Sequence, residues 1–370
     1  MGRFLEHDLG TLGTTAGTVV PGRTAAAPAA VRRARRRIDV DELFEGVRAG
    51  RRGVIARAIT LLESTAPAHR ALAQELLDRL LPFSGKALRL GLTGVPGVGK
   101  STTIESLGMH LIEEGHKVAV LAIDPSSTRT GGSILGDKTR MSRLSARDEA
   151  YIRPSPSAGT LGGVARATRE SMVVLEAAGF DVVIVETVGV GQSETAVSQM
   201  TDCFAFLALA GAGDQLQGIK RGVLEMADVI AINKADGANL RPAKRAARDL
   251  ATAMKLVRPP DAEWTPPVLT MSAVEDGGVQ KLWAAVEEHH AAMLAAGRFD
   301  VHRSRQQVGW MWSMVQETLL RRLDADPRVA EIRGLVEDQV REGRITATLA
   351  AERILEAFDR PPGPEGPAGG

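Results

Sequence analysis

The residues from Leu88 to Thr102 read Leu-Arg-Leu-Gly-Leu-Thr-Gly-Val-Pro-Gly-Val-Gly-Lys-Ser-Thr. Within them, Gly94, Val95, Pro96, Gly97, Val98, Gly99, Lys100 and Ser101 follow the spacing of a phosphate-binding loop. Glycines let the backbone turn tightly and aim several N–H groups at one point. Lys100 supplies a positive charge for terminal phosphates, and Ser101 offers a hydroxyl to Mg²⁺. The helix expected to follow, through Thr102, adds the positive end of its dipole. This pattern predicts binding of a nucleoside triphosphate.

A second cluster chooses the base. Asn233-Lys-Ala-Asp236 follows the apolar run Val229–Ile232, which reads as a buried parallel strand. The Asp236 carboxylate can accept from both N1–H and the N2 amino group of guanine, a pair of donors that adenine lacks. Asn233 can brace the base edge and the loop, and the stem of Lys234 can cover the ring. After the run Val268–Thr270 come Met271, Ser272, Ala273 and Val274, whose backbone N–H groups can reach the guanine carbonyl. The expected ligands are GTP and GDP.

Between these motifs lie candidate metal and switch residues. Ile123-Asp124 ends a strand-like run, and the Gly-rich stretch from Thr130 to Met141 carries Asp137. A carboxylate on a loop able to move suits a metal ligand that senses the γ-phosphate. The apolar run Val182–Val185 ends in Glu186, with Gly189 three residues on. Glu186 can orient Mg²⁺ or its water, and the Gly189 N–H can approach the γ-phosphate. Lys100, Asp137, Glu186 and Gly189 are the candidate catalytic residues. Val190, not Gln, follows Gly189. No obvious side chain positions the attacking water, so unaided hydrolysis is expected to be slow.

The elements that must hold these loops follow from alternation. Candidate strands at 88–93, 117–123, 180–186, 203–210, 228–232 and 267–271 alternate with helical stretches, which predicts an α/β domain over 86–297 with a mostly parallel sheet. The nucleotide motifs all fall at strand carboxyl ends, where such sheets bind ligands. Residues 38–85 read as an N-terminal helical segment, with Leu43, Val47, Ile55, Ala58, Ile59 and Leu62 on apolar stripes. Residues 298–360 read as C-terminal helices whose face of Val308, Trp310, Met311, Trp312, Met314, Val315, Leu319, Leu320 and Leu323 is too broad for so few helices to bury. A second copy of the chain is the expected cover. Residues 1–37 and 361–370 read as disordered tails, the first carrying the basic run Arg32–Arg37.

Composition excludes several classes. The 370 residues hold 46 basic and 45 acidic side chains, a net charge of +1. That balance gives no electrostatic case for nucleic acid or an anionic membrane. No apolar run is long enough to span a bilayer. The single cysteine, Cys203, rules out an intrachain disulfide, points to the reducing cytoplasm, and reads as a small core residue. Seven scattered histidines and one cysteine argue against a metal-delivery GTPase. His289 and His290 are adjacent on a helix and point apart. A kinase of a small transported substrate would need an acceptor pocket with a base, and no motif supplies one. A GTP-binding adaptor without hydrolysis is the remaining rival.

The runs Asp124–Ser127, Gly131–Met141, Val185–Glu194 and Asn233–Asp236 together resemble the MeaB/ArgK family of P-loop GTPases associated with adenosylcobalamin-dependent acyl-CoA mutases, chiefly methylmalonyl-CoA mutase. The resemblance covers about residues 39 to 358. It implies a central G domain, a helical N-terminal part and a C-terminal dimerisation arm. It further implies Mg²⁺ held by Ser101 with Asp124, Asp137 and Glu186 near it. The Gly211–Gly222 segment, with Asp214, Gln217 and Lys220, would be an extra switch that relays nucleotide state to the mutase. The implied activity is slow, partner-stimulated GTP hydrolysis by a chaperone that loads adenosylcobalamin and protects the mutase.

Overall fold

A computed structural model describes residues 38–123, 140–154, 161–187, 193–210, 221–257, 264–275 and 278–360. Its centre is a seven-stranded sheet of order β3-β2-β4-β1-β5-β6-β7, with every pairing parallel. The strands are β1 (Leu88–Gly94), β2 (Val118–Ile123), β3 (Ala150–Pro154), β4 (Val182–Thr187), β5 (Cys203–Leu209), β6 (Val229–Asn233) and β7 (Val268–Thr270). β1, β2, β4, β5 and β6 are almost wholly buried, which is why they read as continuous apolar runs in the sequence.

Alternation along each strand divides two cores. Leu90, Leu92, Val120, Ile184, Ala205 and Ala231 face one layer. That layer is built by α4 (Lys100–Glu113), the single turn α5 (Ser142–Ser145) and α10 (Gly278–Ala295), through side chains such as Ile104, Leu107, Leu144, Leu282 and Val286. On the other face, Phe206, Ala208, Ile230 and Ile232 pack on Ala243, Leu250 and Met254 of α9 (Leu240–Val257). Also described are α6 (Leu161–Ala177), α7 (Ser193–Ser198) and α8 (Arg221–Met226).

Strand β3 is absent from the sequence reading, which found six strands. Ala150-Tyr-Ile-Arg-Pro154 is short and ends in Arg and Pro, so it carries no apolar run of strand length. It survives because it lies at the sheet edge, paired only with β2, where a proline costs no ladder bond. Arg153 on this strand pairs with Glu63, tying the edge to the N-terminal helices.

Those helices are α1 (Val40–Arg48), α2 (Arg52–Leu62) and α3 (Pro67–Leu80). Asp39 caps α1, its carboxylate accepting from the N–H groups of Asp41 and Glu42 at 2.9 and 3.1 Å, which satisfies two of the orphan donors at the helix start. α3 begins at Pro67, because proline fits the first helical turn without losing a hydrogen bond. Val47, Ile55, Ala58, Ile59 and Leu76 are fully buried, and Arg48 donates to the Ala177 carbonyl at 2.8 Å, joining α1 to the end of α6.

The C-terminal helices are α11 (Phe299–Asp324), α12 (Pro327–Arg341) and α13 (Ala347–Asp359). The start of α11 is fixed to the amino end of the sheet. Arg303 donates to both Asp202 oxygens at 2.8 and 2.6 Å and to the Ala87 carbonyl at 2.6 Å. Gln306 donates to the Thr201 carbonyl at 2.8 Å. Beyond that anchor, none of the 26 residues of α11 is buried. Both proposed tails, 1–37 and 361–370, lie outside the described residues. No helix among the described residues is long and apolar enough to cross a membrane.

Candidate functional site

Register places the chemistry. Glu186 sits opposite Leu92 of β1 on one side and Ala122 of β2 on the other. The carboxyl tips of β1, β2 and β4 therefore open onto one cleft, of 660 Å³. Pro96, Gly97, Lys100, Ser101, Glu186 and Lys234 are among its lining residues.

Two positions in the loop between β1 and α4 strain any residue but glycine. Gly94 has φ of 155°, and a Cβ there would lie 2.5 Å from the Leu207 carbonyl oxygen. Gly99 has φ of 99°, and its Cβ would meet the Asn233 Nδ2 at 2.8 Å. The left-handed backbone and the close approach both disfavour a side chain. Asn233 uses that proximity: Nδ2 donates to the Val98 carbonyl at 2.8 Å, and Oδ1 accepts from the Ala273 N–H at 3.2 Å. One buried amide thus joins the phosphate loop to the segment after β7.

Lys100 folds back over its own loop and donates to the Gly94 carbonyl at 2.8 Å. Burial holds its ammonium below the usual lysine pKa, while the nearby Glu186 and Glu194 carboxylates pull in the opposite direction. The sum is a buried cation at the start of a helix, beside peptide N–H groups, an arrangement able to take a polyanion. Ser101 donates to Glu186 Oε1 at 3.2 Å. These two hard oxygens meet at the phosphate end of the cleft, a donor pair suited to a small divalent cation.

Beyond Lys234, which lines the cleft, lies a second braced unit. Asp236 accepts from the Ser272 hydroxyl at 2.7 Å. The same hydroxyl oxygen accepts from the N–H groups of Val274 and Glu275 at 3.3 and 3.2 Å. Ser106 of α4 donates to the Ala273 carbonyl at 2.6 Å, so the loop after β7 is held from two sides. Lys234, between Asn233 and Asp236, has φ of 57°. A lysine there costs free energy and persists only where its surroundings fix it. The neighbouring Ala235 N–H is held by the Met271 carbonyl at 3.0 Å.

The structure therefore brings together Gly94, Val95, Pro96, Gly97, Val98, Gly99, Lys100, Ser101 and Thr102 with Glu186 and with Asn233, Lys234, Asp236, Ser272, Ala273 and Val274. Asp124, Asp137, Gly189, Asp214, Gln217 and Lys220 lie outside the described residues. Four cleft residues carried no role in the sequence reading: Arg140, Thr187, Ala122 and Ile123. Arg140 follows Asp137 by three residues in the Gly-rich stretch, and that proximity was its available signal. Thr187, bonded to Thr93 at 2.7 Å, and Ile123 are strand-tip residues whose role depends on register alone.

The sequence profile described as "Methylmalonyl Co-A mutase-associated GTPase MeaB" matches residues 55–328. A "probable GTPase" of Mycobacterium tuberculosis is 61% identical over 317 residues, covering 86% of this chain and 94% of its own. The mouse protein named "Methylmalonic aciduria type A homolog, mitochondrial" is 46% identical over 329 residues, covering 86% and 79%. A crystal structure titled LAO/AO transport system kinase superposes with a TM-score of 0.71 at 40% identity, over 87% of this chain and 98% of that one. The parallel sheet, the phosphate loop and these likenesses agree: the chain belongs to the MeaB family of P-loop GTPases and is a GTP hydrolase.

Proposed function

We propose that this GTPase is a chaperone whose GTP hydrolysis gates the loading of adenosylcobalamin into an acyl-CoA mutase, methylmalonyl-CoA mutase first, and protects the loaded enzyme. The observation that carries the reading is the family match across residues 55–328, since that family is described by its association with this mutase. The 46% identity to the mouse methylmalonic aciduria homolog supports it.

In this reading the phosphate-loop amides from Gly94 to Thr102 and the Lys100 ammonium hold the β- and γ-phosphates. Asp236 accepts from guanine N1–H and the N2 amino group, with Asn233 and Lys234 framing the base and the Ser272–Val274 amides near its carbonyl. Ser101 and Glu186, with Asp124 and Asp137, are the residues that would hold Mg²⁺. The 3.2 Å contact between Ser101 and Glu186 fits such an ion, because both donors are hard oxygens. Bound there, it would neutralise charge developing on the transferring phosphoryl group. Lys100 and the loop amides stabilise the same charge, and water attacks the γ-phosphate. Gly189 reports the γ-phosphate through its N–H, and Asp214, Gln217 and Lys220 relay nucleotide state to the mutase. Because the mutase must bind the GTP and GDP forms unequally, linkage requires that it alter nucleotide affinity or turnover in return.

The protein is further proposed to be a cytoplasmic homodimer through residues 298–360. Trp312 and Leu320 are 58% and 62% exposed. Trp310, Met311, Met314, Val315 and Leu319 line a 550 Å³ groove on the same helix. A monomer rarely leaves so much contiguous apolar surface in water.

The test is GTP hydrolysis measured with and without an adenosylcobalamin-dependent acyl-CoA mutase, together with transfer of adenosylcobalamin to the apo-mutase. The expected result is slow turnover alone, well under the ~10 s⁻¹ of a typical enzyme, a clear rise with mutase, and transfer that depends on GTP. Hydrolysis unaffected by the mutase, or transfer that proceeds equally without GTP, would overturn the chaperone role. Phosphoryl transfer to a small amino acid, in place of water, would favour a kinase.

A further inference from the structure

Opposite the nucleotide cleft, at the amino ends of β5 and β6, three metal-ligating side chains converge. Cys203 opens β5, Asp228 immediately precedes β6, and His289 projects from α10. A ring nitrogen of His289, a carboxylate oxygen of Asp228 and the Cys203 sulfur all lie within 4.8 Å of one another. Cys203 and His289 are 1% and 4% exposed. We propose that these three side chains form a binding site for a divalent cation of borderline softness, of the zinc class.

Donor chemistry selects that class. Thiolate, imidazole and carboxylate together are the donor types of zinc sites, whereas Mg²⁺ takes oxygens alone. Bonds of about 2.0 to 2.3 Å in a tetrahedron place donor atoms about 3.3 to 3.6 Å apart. His289 Nε2 and Asp228 Oδ1 already stand 3.7 Å apart. Small side-chain rotations close the rest.

The surroundings are built to orient the ligands. Asp228 Oδ2 accepts from the Phe204 N–H at 2.9 Å, and the Asp228 carbonyl accepts from Trp264 Nε1 at 2.8 Å. The Trp264 ring meets the His289 ring edge-on at 5.1 Å. Such contacts fix the aim of metal ligands. On binding, the thiol proton leaves to solvent and the sulfur takes its place on the metal. Asp228 is 27% exposed at its side chain, which provides the entry side and room for a water as fourth ligand. A bound cation would pin α10 to β5 and β6. The site does not depend on the mutase reading or on the identity of the nucleotide.

The experiment titrates the full-length, GDP-bound protein with cobalt(II) chloride, then with zinc chloride. Cobalt on a thiolate gives an intense near-ultraviolet charge-transfer band. Cys203 is the only cysteine, so that band reports this site alone. We expect one equivalent of cobalt to produce it and one equivalent of zinc to bleach it. Cys203→Ser should abolish the band, and His289→Gln should weaken cobalt binding at least tenfold. GDP affinity in each variant, read at the opposite end of the sheet, shows that it has folded. A wild-type titration without the band, or with cobalt bound but no thiolate signal, overturns the site. So does a band with unchanged cobalt affinity in folded His289→Gln. The wild-type result decides even where a variant fails to fold.

Discussion

The nucleotide site and the α11 face are built in opposite ways. Around the phosphate loop, polar groups satisfy one another: Lys100 on the Gly94 carbonyl, Ser101 on Glu186, Asp236 on Ser272, Asn233 across to Val98 and Ala273. On α11, Val308, Met311, Trp312, Leu319 and Leu320 stand exposed and have no means of satisfying themselves. A buried unpaired polar group is costly, so a polar site must be braced before its ligand arrives. Exposed apolar carbon costs little per atom, so an apolar contact face can wait unbraced, and its presence is read from surface, not from hydrogen bonds.

The comparison makes the cleft the more fragile region. Lys100→Ala removes the buried cation that faces the phosphates and leaves the polyanion short of its partner. It should cost about 2–5 kcal/mol of GTP binding, about 30- to 5000-fold in Kd. Near-native GTP affinity by calorimetry would mean that the loop amides alone hold the phosphates.

Breaking the α11 face needs a charge. Trp312→Glu places a carboxylate in a surface proposed to close on its own copy, and a symmetric interface feels it twice. With about 2 kcal/mol lost for each central aromatic, the dimer should weaken by about 4 kcal/mol, while nucleotide affinity stays unchanged. Light scattering of the wild type as a monomer at micromolar concentration would remove the proposal. A variant that dimerises normally would move the contact off this helix.

Asp236→Asn sharpens the account of the base end. The amide can serve xanthine, whose carbonyl replaces the guanine amino group, and should disfavour guanine by about 1.5–3 kcal/mol, the worth of a charged hydrogen bond. Competition between GTP and XTP reads the change directly. If the variant still prefers GTP, Asp236 does not read the base edge, and the Ser272 contact is structural only.

The smallest effect is expected from Gly99→Ala, about 1–2 kcal/mol for a left-handed alanine. Its Cβ would also push on Asn233. GTP affinity should fall while thermal stability falls little, since the loop lies at the rim of the sheet. A variant with full affinity would show that the loop tolerates a shift of Asn233.

Legibility followed the same division. The phosphate loop and Asn233-Lys-Ala-Asp236 were readable because each acts through a short contiguous segment at a strand end. Five of the six strands that were readable are buried on both faces, which makes them largely apolar; the sixth, β7, is a half-buried edge strand. β3 was not, because an edge strand of five residues with Arg153 and Pro154 owes its existence to pairing with β2. Thr187 and Ile123 entered the cleft by register, and the exposed face of α11 was visible as a pattern only because it is helical and long.

The sequence by itself determined the ligand class and the sheet, since phosphate geometry and strand burial both act on neighbouring residues. Only the tertiary structure decided that Asn233 braces Gly99 and Val98 from 130 or more residues away, that Arg303 fastens α11 beneath the sheet, and that Cys203, Asp228 and His289 share one pocket. Those contacts join distant segments, and the parallel crossovers set their register. The reason is physical: local spacing encodes local geometry, whereas a buried contact between distant residues exists only once the layers have packed.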